Sequence, residues 1–201
     1  MNLRFDSFVS TKLLVFVFAA MGLWLAGGCI GARVDEKRSG TKDFTAGWEA
    51  VRNREWGEAE DAFSRLMRDY PQSPEGYFGL GVVCAERQKY ELAEALFRDT
   101  IRLDPSCDPA YANLGRVYLE MEPPRPEEAR RLIEQALELA PDNGENHFAM
   151  AVYWAYCEDY PKIWSCVRQA EAYGYAVPQD FVEQVRQEEH TVSERIKGTA
   201  P

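Results

Sequence analysis

Histidine is nearly absent from this chain: His147 and His190 are the only two in 201 residues. The usual carriers of metal and acid–base chemistry are therefore scarce. The sequence contains no His-Glu-x-x-His, no Gly-x-Ser-x-Gly and no phosphate loop. Gly76, Gly79 and Gly81 cluster, but within a helical stretch that follows no strand, so a dinucleotide-binding reading fails its context. No two of Cys84, Cys107, Cys157 and Cys166 stand in Cys-x-x-Cys spacing. Zinc and redox motifs thus have no support, and the spacing fixes no disulfide connectivity. Basic residues are also few: 23 Lys and Arg face 33 Asp and Glu, for a net charge of −10. Without a basic cluster, binding to nucleic acid or to anionic lipid is not expected. No catalytic residue, cofactor or metal site is expected either, and the chain reads as a non-enzyme.

Long apolar runs are equally rare. One uncharged, mostly apolar stretch extends from Leu13 to Ala32, preceded by Arg4 and Lys12 and containing Leu25-Ala26-Gly27-Gly28-Cys29. A charged start, an apolar middle and a small-residue end predict an export signal over residues 1–28. Small residues running into a cysteine resemble a bacterial lipoprotein signal, which implies lipidation of Cys29. Ala26 departs from that pattern, which favours leucine three places before the cysteine, and Asp6 weakens the positive start. The alternative is an uncleaved anchor, because 20 uncharged residues approach the ~20 that span a bilayer as a helix. Either way the rest of the chain is expected to be exported and membrane-tethered. Loss of residues 1–28 removes Arg4, Lys12 and Asp6, leaving 21 − 32 = −11. Residues 29–43 are polar and aperiodic after Ile30, and predict a flexible tether reaching roughly 20 Å.

What the chain has in abundance is repetition. Gly47, Gly81, Gly115 and Ala151 are separated by 34, 34 and 36 residues. Ala59, Ala93, Ala129 and Ile163 keep nearly the same steps, as do Phe63, Phe97, Ile133 and Val167, and Pro71, Pro105, Pro141 and Tyr175. A fixed period in this range is the mark of stacked repeats, none of which can bury its apolar face alone.

One copy shows why each unit folds. Ser73-Pro74-Glu75 predicts a helix start, with Ser as cap, Pro in the first turn and Glu suited to the dipole. Tyr77, Leu80, Gly81 and Cys84 share one helical face, and Tyr90, Ala93, Phe97 and Ile101 share another. Polar Glu86-Arg87-Gln88-Lys89 separates the two. Pro105 then closes the second helix, since proline disfavours helix at the residue before it. The unit is a helix hairpin in which Gly81 and Ala93 allow close crossing. Cys84 and Cys166 lie at core-facing positions. The longer third copy places its extra residues at Glu122-Pro123-Pro124-Arg125-Pro126, read as a stiffened turn.

Residues 108–143 supply Tyr111, Leu114-Gly115, Tyr118, Ala129, Ile133, Ala136 and Pro141, a pattern that closely resembles the tetratricopeptide repeat. Residues 74–107 match nearly as well, 40–73 have Asp43 in the aromatic slot, and 144–178 have His147, Met150-Ala151 and Trp154. The resemblance implies an all-α helix-hairpin solenoid, wound as a right-handed superhelix, over residues 44–195. Phe181, Val182 and Val185 predict a capping helix over 179–195, followed by a disordered tail, 196–201.

The same resemblance implies that the first helix of each hairpin lines a concave groove. By register its inward residues are Phe44, Trp48 and Arg52; Phe78, Val82 and Glu86; Ala112, Arg116 and Glu120; and Phe148, Val152 and Tyr156. Eight of these are the expected peptide contacts: Phe44, Trp48, Phe78, Val82, Arg116, Phe148, Val152 and Tyr156. An apolar, aromatic stripe suits an apolar peptide or amphipathic helix, and Arg116 in its midst suggests an acidic residue on that partner. The plainer alternative is that these aromatics pack against the chain itself. The resemblance to lipoproteins of this type implies a scaffold for envelope or pilus assembly. An enzyme with an unrecognised site and a purely structural spacer are the competing expectations.

Overall fold

A computed structural model describes residues 41–198. The expected signal, Cys29 and most of the expected tether lie outside the described residues. Nine helices follow one another within the described span, with no strand among them: α1 (Thr41–Arg52), α2 (Trp56–Asp69), α3 (Pro74–Glu86), α4 (Tyr90–Leu103), α5 (Asp108–Glu120), α6 (Pro126–Leu139), α7 (Gly144–Tyr156), α8 (Tyr160–Ala172) and α9 (Gln179–Gly198). The first eight pair as four hairpins, each packed against the next. The all-α solenoid and its C-terminal helix are as expected.

The repeat period is a packing rule. A Cβ on Gly47 would stand 2.7 Å from the Phe63 ring, one on Gly81 would stand 2.8 Å from the Phe97 ring, and one on Gly115 would stand 2.7 Å from Ile133 Cγ1. Each of these three register glycines therefore receives the large side chain of its own second helix. In the fourth copy the pair becomes Ala151 and Val167, both buried. The added methyl is matched by a smaller partner, a volume-conserving exchange of the kind cores tolerate.

Three hairpins turn through three residues, and the middle one adopts positive φ each time: Arg54 (60°), Gln88 (59°) and Glu158 (57°). The third turn holds five residues between Glu120 and Pro126. It uses instead a cis Glu122–Pro123 bond, and the two extra residues sit where the spacing placed them.

Successive copies are joined by a recurring hydrogen bond. Tyr77 Oη donates to the Pro71 carbonyl at 3.2 Å and Tyr111 Oη to the Pro105 carbonyl at 3.2 Å. His147 Nε2 lies 2.8 Å from the Pro141 carbonyl. A carbonyl only accepts, so Nε2 carries the proton there. His147 also stacks on Tyr173 at 5.1 Å, a packing role that suits its aromatic slot.

Several local expectations differ from the structure. Ser73 does not cap α3; its hydroxyl bonds the Glu75 carboxylate instead. Helix α1 starts at Thr41, inside the expected tether. Asp43 gives that turn a purpose, because Arg65 of α2 donates to its Oδ1 at 3.0 Å. Helix α9 runs to Gly198, three residues beyond the expected end of the capping helix. Cys84, Cys107 and Cys166 are buried free thiols and Cys157 is exposed.

Candidate functional site

Curvature follows from which helices touch. The first helices of neighbouring hairpins approach one another, α5 against α7 most closely, then α1 against α3 and α3 against α5. No two second helices share a comparable contact among the described residues. The stack therefore bends with α1, α3, α5 and α7 on its inner side.

The expected aromatic stripe is present and continuous, but most of it is core. Trp48 meets Phe63 at 5.2 Å and Phe78 at 6.0 Å, and Phe78 meets Phe97 at 5.9 Å. Phe148 stacks on Tyr175 at 5.2 Å and meets Phe181 of α9 edge-on at 5.1 Å. Phe78, Val82, Phe148 and Val152 are no more than 2% exposed, and Trp48 is 7% exposed. This corrects their reading as contact residues. Trp48 and Phe78 each pack on a ring of their own hairpin's second helix and on each other. Phe148 is covered by α9 and Tyr175. Phe44 and Tyr156 stay half-buried, one at each end of the inner face.

Arg116 also differs from expectation. It is 2% exposed, and Nη1 donates to Asn113 Oδ1 at 3.2 Å. Its guanidinium is surrounded by acids rather than offered to one. Glu86 at the end of α3, Glu120 at the end of α5 and Glu145 in the first turn of α7 all feel its charge. Tyr90, opening α4, donates its hydroxyl to Glu120 Oε2 at 3.0 Å. Asp108 borders Glu145, and Asp108 Oδ2 accepts from Asn143 Nδ2 at 2.7 Å and from Asn146 Nδ2 at 2.8 Å.

Burial dominates the protonation of these carboxyls. It pushes Glu86 up to about 7, opposed by Arg116 and Arg54. It pushes Glu120 up to about 8, against Arg116 and the Tyr90 hydroxyl, with Glu86 adding to the rise. Glu145 also rises to about 8 through burial, opposed by Arg116 and reinforced by Asp108. One guanidinium does not offset the desolvation of three carboxylates. Burial raises the Tyr90 and Tyr175 phenols as well. Oε1 of Glu120 and Oε1 of Glu145 are buried and accept no hydrogen bond among the described residues.

Glu86 and Glu120 stood on the inward register of the sequence. Glu145 did not, because an acid in a first turn reads as a partner for the helix dipole. The missed signal was its place three residues before inward-facing Phe148.

A second concavity lies between the second helices α4 and α6, with α5 as its floor. It is a cleft of about 370 Å³ walled by Ile101, Leu114, Leu132, Tyr118, Arg98 and Arg131. Its polar wall is largely self-satisfied: Arg98 donates to the Tyr118 hydroxyl at 2.6 Å, and Tyr118 donates to Glu94 at 2.8 Å. Among the described residues no group of His, Cys, Asp and Glu is arranged to hold a metal ion. No described helix is long and apolar enough to cross a membrane.

Known proteins share this architecture. The chain is similar in structure to TTC0263, a thermophilic TPR protein of Thermus thermophilus, with 17% identity and a TM-score of 0.63 over 67% of this chain and 74% of that one. It is similar to the TPR2B-domain:pHsp70 complex of yeast Sti1, with 16% identity and a TM-score of 0.54 over 59% of this chain and 96% of that one. At these identities the likeness shows the fold alone. An O-GlcNAc transferase of Thermobaculum terrenum aligns at 28% identity with a TM-score of 0.52, over 56% of this chain but only 21% of the transferase. No curated protein sequence matches the chain. The tetratricopeptide repeat profile matches residues 44–108 and 85–144, which together span just over half of the 201 residues. With that match, the 34-residue register and the stacked hairpins, the chain belongs to the tetratricopeptide repeat family, whose domains are protein–protein interaction modules.

Proposed function

We propose that this protein is a non-enzymatic, exported scaffold, tethered to a membrane through its N-terminal segment, which holds a protein segment against its inner curve. The observation that carries the reading is the charged patch on α3, α5 and α7, where Glu86, Glu120 and Glu145 remain partly exposed around a buried Arg116. Ionisable groups held partly out of water on a concave face give a partner something to recognise that an ordinary solvated surface does not. The signal-like residues 1–28 and Cys29 support lipid anchorage, and the acidic repeats favour a role in envelope or pilus assembly over binding to nucleic acid. The Sti1 neighbour is a complex with pHsp70, so this fold elsewhere carries a bound partner.

The test is site-specific photo-cross-linking of the full chain in cells. A photoreactive residue at Phe44 or Tyr156, the half-buried ends of the inner face, should yield partner adducts. The same residue at Leu92, exposed on second helix α4, should not. Adducts from Leu92 alone would place the partner on the outer face, and the α4–α6 cleft would then be the site.

A second reading, as an enzyme, draws on the same carboxyls, because pKa values near 7–8 suit general acid–base work. It is weakened by the geometry. Tyr90 already occupies Glu120 Oε2, and Arg116 Nη1 donates to Asn113 Oδ1.

A further inference from the structure

We infer that the inner face of the repeat array selects a partner segment bearing a lysine or arginine beside apolar residues, and that Glu86, Glu120 and Glu145 receive that cation. The inference rests on the inner-face reading above and adds the charge of the partner. It reverses what Arg116 alone suggests. Seen in the sequence, one arginine amid aromatics calls for an acidic guest. In the structure Arg116 is buried, and carboxyls from three different first helices feel its charge, so the acids there outnumber the guanidinium groups that face them.

Two features make this more than an acidic cluster. Glu145 is partly exposed, but its Oε1 is buried and accepts no hydrogen bond among the described residues. Glu120 uses Oε2 for Tyr90 while its buried Oε1 is likewise unfilled. Buried carboxyl oxygens without partners are costly, and an ammonium or guanidinium supplies donors to them and replaces the proton as the compensating charge.

The surrounding groups leave that role open. Arg54 faces Glu86 from the α1–α2 turn, and Arg116 lies between Glu86, Glu120 and Glu145. Asp108 of α5, beside Glu145, adds negative charge. Tyr90 and Tyr175 are neutral phenols, their ionisation opposed by burial and by Glu120 and Glu145 respectively. The half-buried rings of Phe44 and Tyr156 offer apolar contact to residues on either side of the guest cation.

Proton linkage gives the test a specific readout. At pH 7 the free site holds protons on its carboxyls, and a bound cation lowers their pKa values and expels protons. The probes are short amphipathic helical peptides with leucines on one face and a central lysine, norleucine or glutamate. Titration calorimetry of the full chain in buffers of different ionisation enthalpy counts the protons. The lysine peptide should bind at least tenfold more tightly than the norleucine peptide and release roughly one proton, whereas the norleucine peptide releases none. The Glu120→Gln, Glu145→Gln double variant should lose the lysine preference and the proton release. Retained helical circular dichroism and a cooperative thermal transition show that the variant is folded. Equal affinity for lysine and norleucine, a preference for glutamate, or lysine binding without proton release would overturn the inference while sparing the inner-face reading. Failure of every peptide to bind would overturn both.

Discussion

Gly115 offers a quantitative test of the packing rule that generates the repeat. An alanine there would put its Cβ 2.7 Å from Ile133 Cγ1, 2.9 Å from the Ala129 carbonyl oxygen and 3.2 Å from Ile133 Cδ1. The isoleucine can turn, but the carbonyl belongs to the backbone of α6, so the α5–α6 crossing must open. Overpacking of this kind costs about 1–3 kcal/mol. Alanine returns about 1 kcal/mol in helix propensity, leaving a net loss of up to about 2 kcal/mol. Gly57, also helical, is the internal control, because a Cβ there meets nothing within 4 Å. Gly57→Ala should therefore stabilise by up to about 1 kcal/mol. Gly81→Ala should fall between them, since its three nearest new contacts are all Phe97 ring atoms, the first at 2.8 Å, and a ring can tilt. Gly115→Leu should cost more than Gly115→Ala. Urea denaturation of the full chain reads all four variants. An order other than Gly57→Ala above Gly81→Ala above Gly115→Ala, or a Gly115→Ala protein more stable than the parent, would refute the close-crossing account.

Other outcomes follow from the same structure. Glu86, Glu120 and Glu145 have folded-state pKa values of about 7, 8 and 8 against 4.5 for the free side chain, so the folded protein binds more protons than the unfolded chain across that interval. Their contribution is therefore fully present below pH 4.5 and is lost as pH rises through 7–8, worth about 3 kcal/mol for Glu86 alone; denaturation at pH 6 and pH 8.5 should show the fall, and Glu120→Gln with Glu145→Gln should flatten it. Gln88→Gly should stabilise by up to about 1 kcal/mol, because glycine relieves the positive φ of that turn; a loss of stability would show that the turn is unstrained. Cys29→Ala should abolish metabolic labelling by a fatty-acid analogue that marks the parent chain. Labelling of both chains, or of neither, would favour an uncleaved helix anchor.

The repeat was legible because it is enforced by contacts within each hairpin. Gly81 and Phe97 are 16 residues apart and touch, so one requirement prints itself at a fixed interval in every copy. The five-residue turn was legible for the same reason: an insertion can only fall where the register breaks. The candidate site was less so. Inward register identified Trp48, Phe78 and Phe148 but could not show that neighbouring rings and α9 would bury them. Arg116 looked like an isolated cation because Glu86, Glu120 and Glu145 come from three separate copies, and only the stacking of α3, α5 and α7 brings them together. Glu145 was hidden further by its position in a first turn, where an acid has an ordinary explanation.

The central claim is that this chain works by holding a protein segment in the inner curve of its stack. Hydrogen–deuterium exchange of the full chain, with and without the partner trapped by cross-linking, tests it directly. The account predicts added protection at the ends of α3 and α5 and the first turn of α7, around Glu86, Glu120 and Glu145, with α2, α4, α6 and α8 unchanged. Protection confined to the second helices, with the inner face exchanging as before, would contradict it.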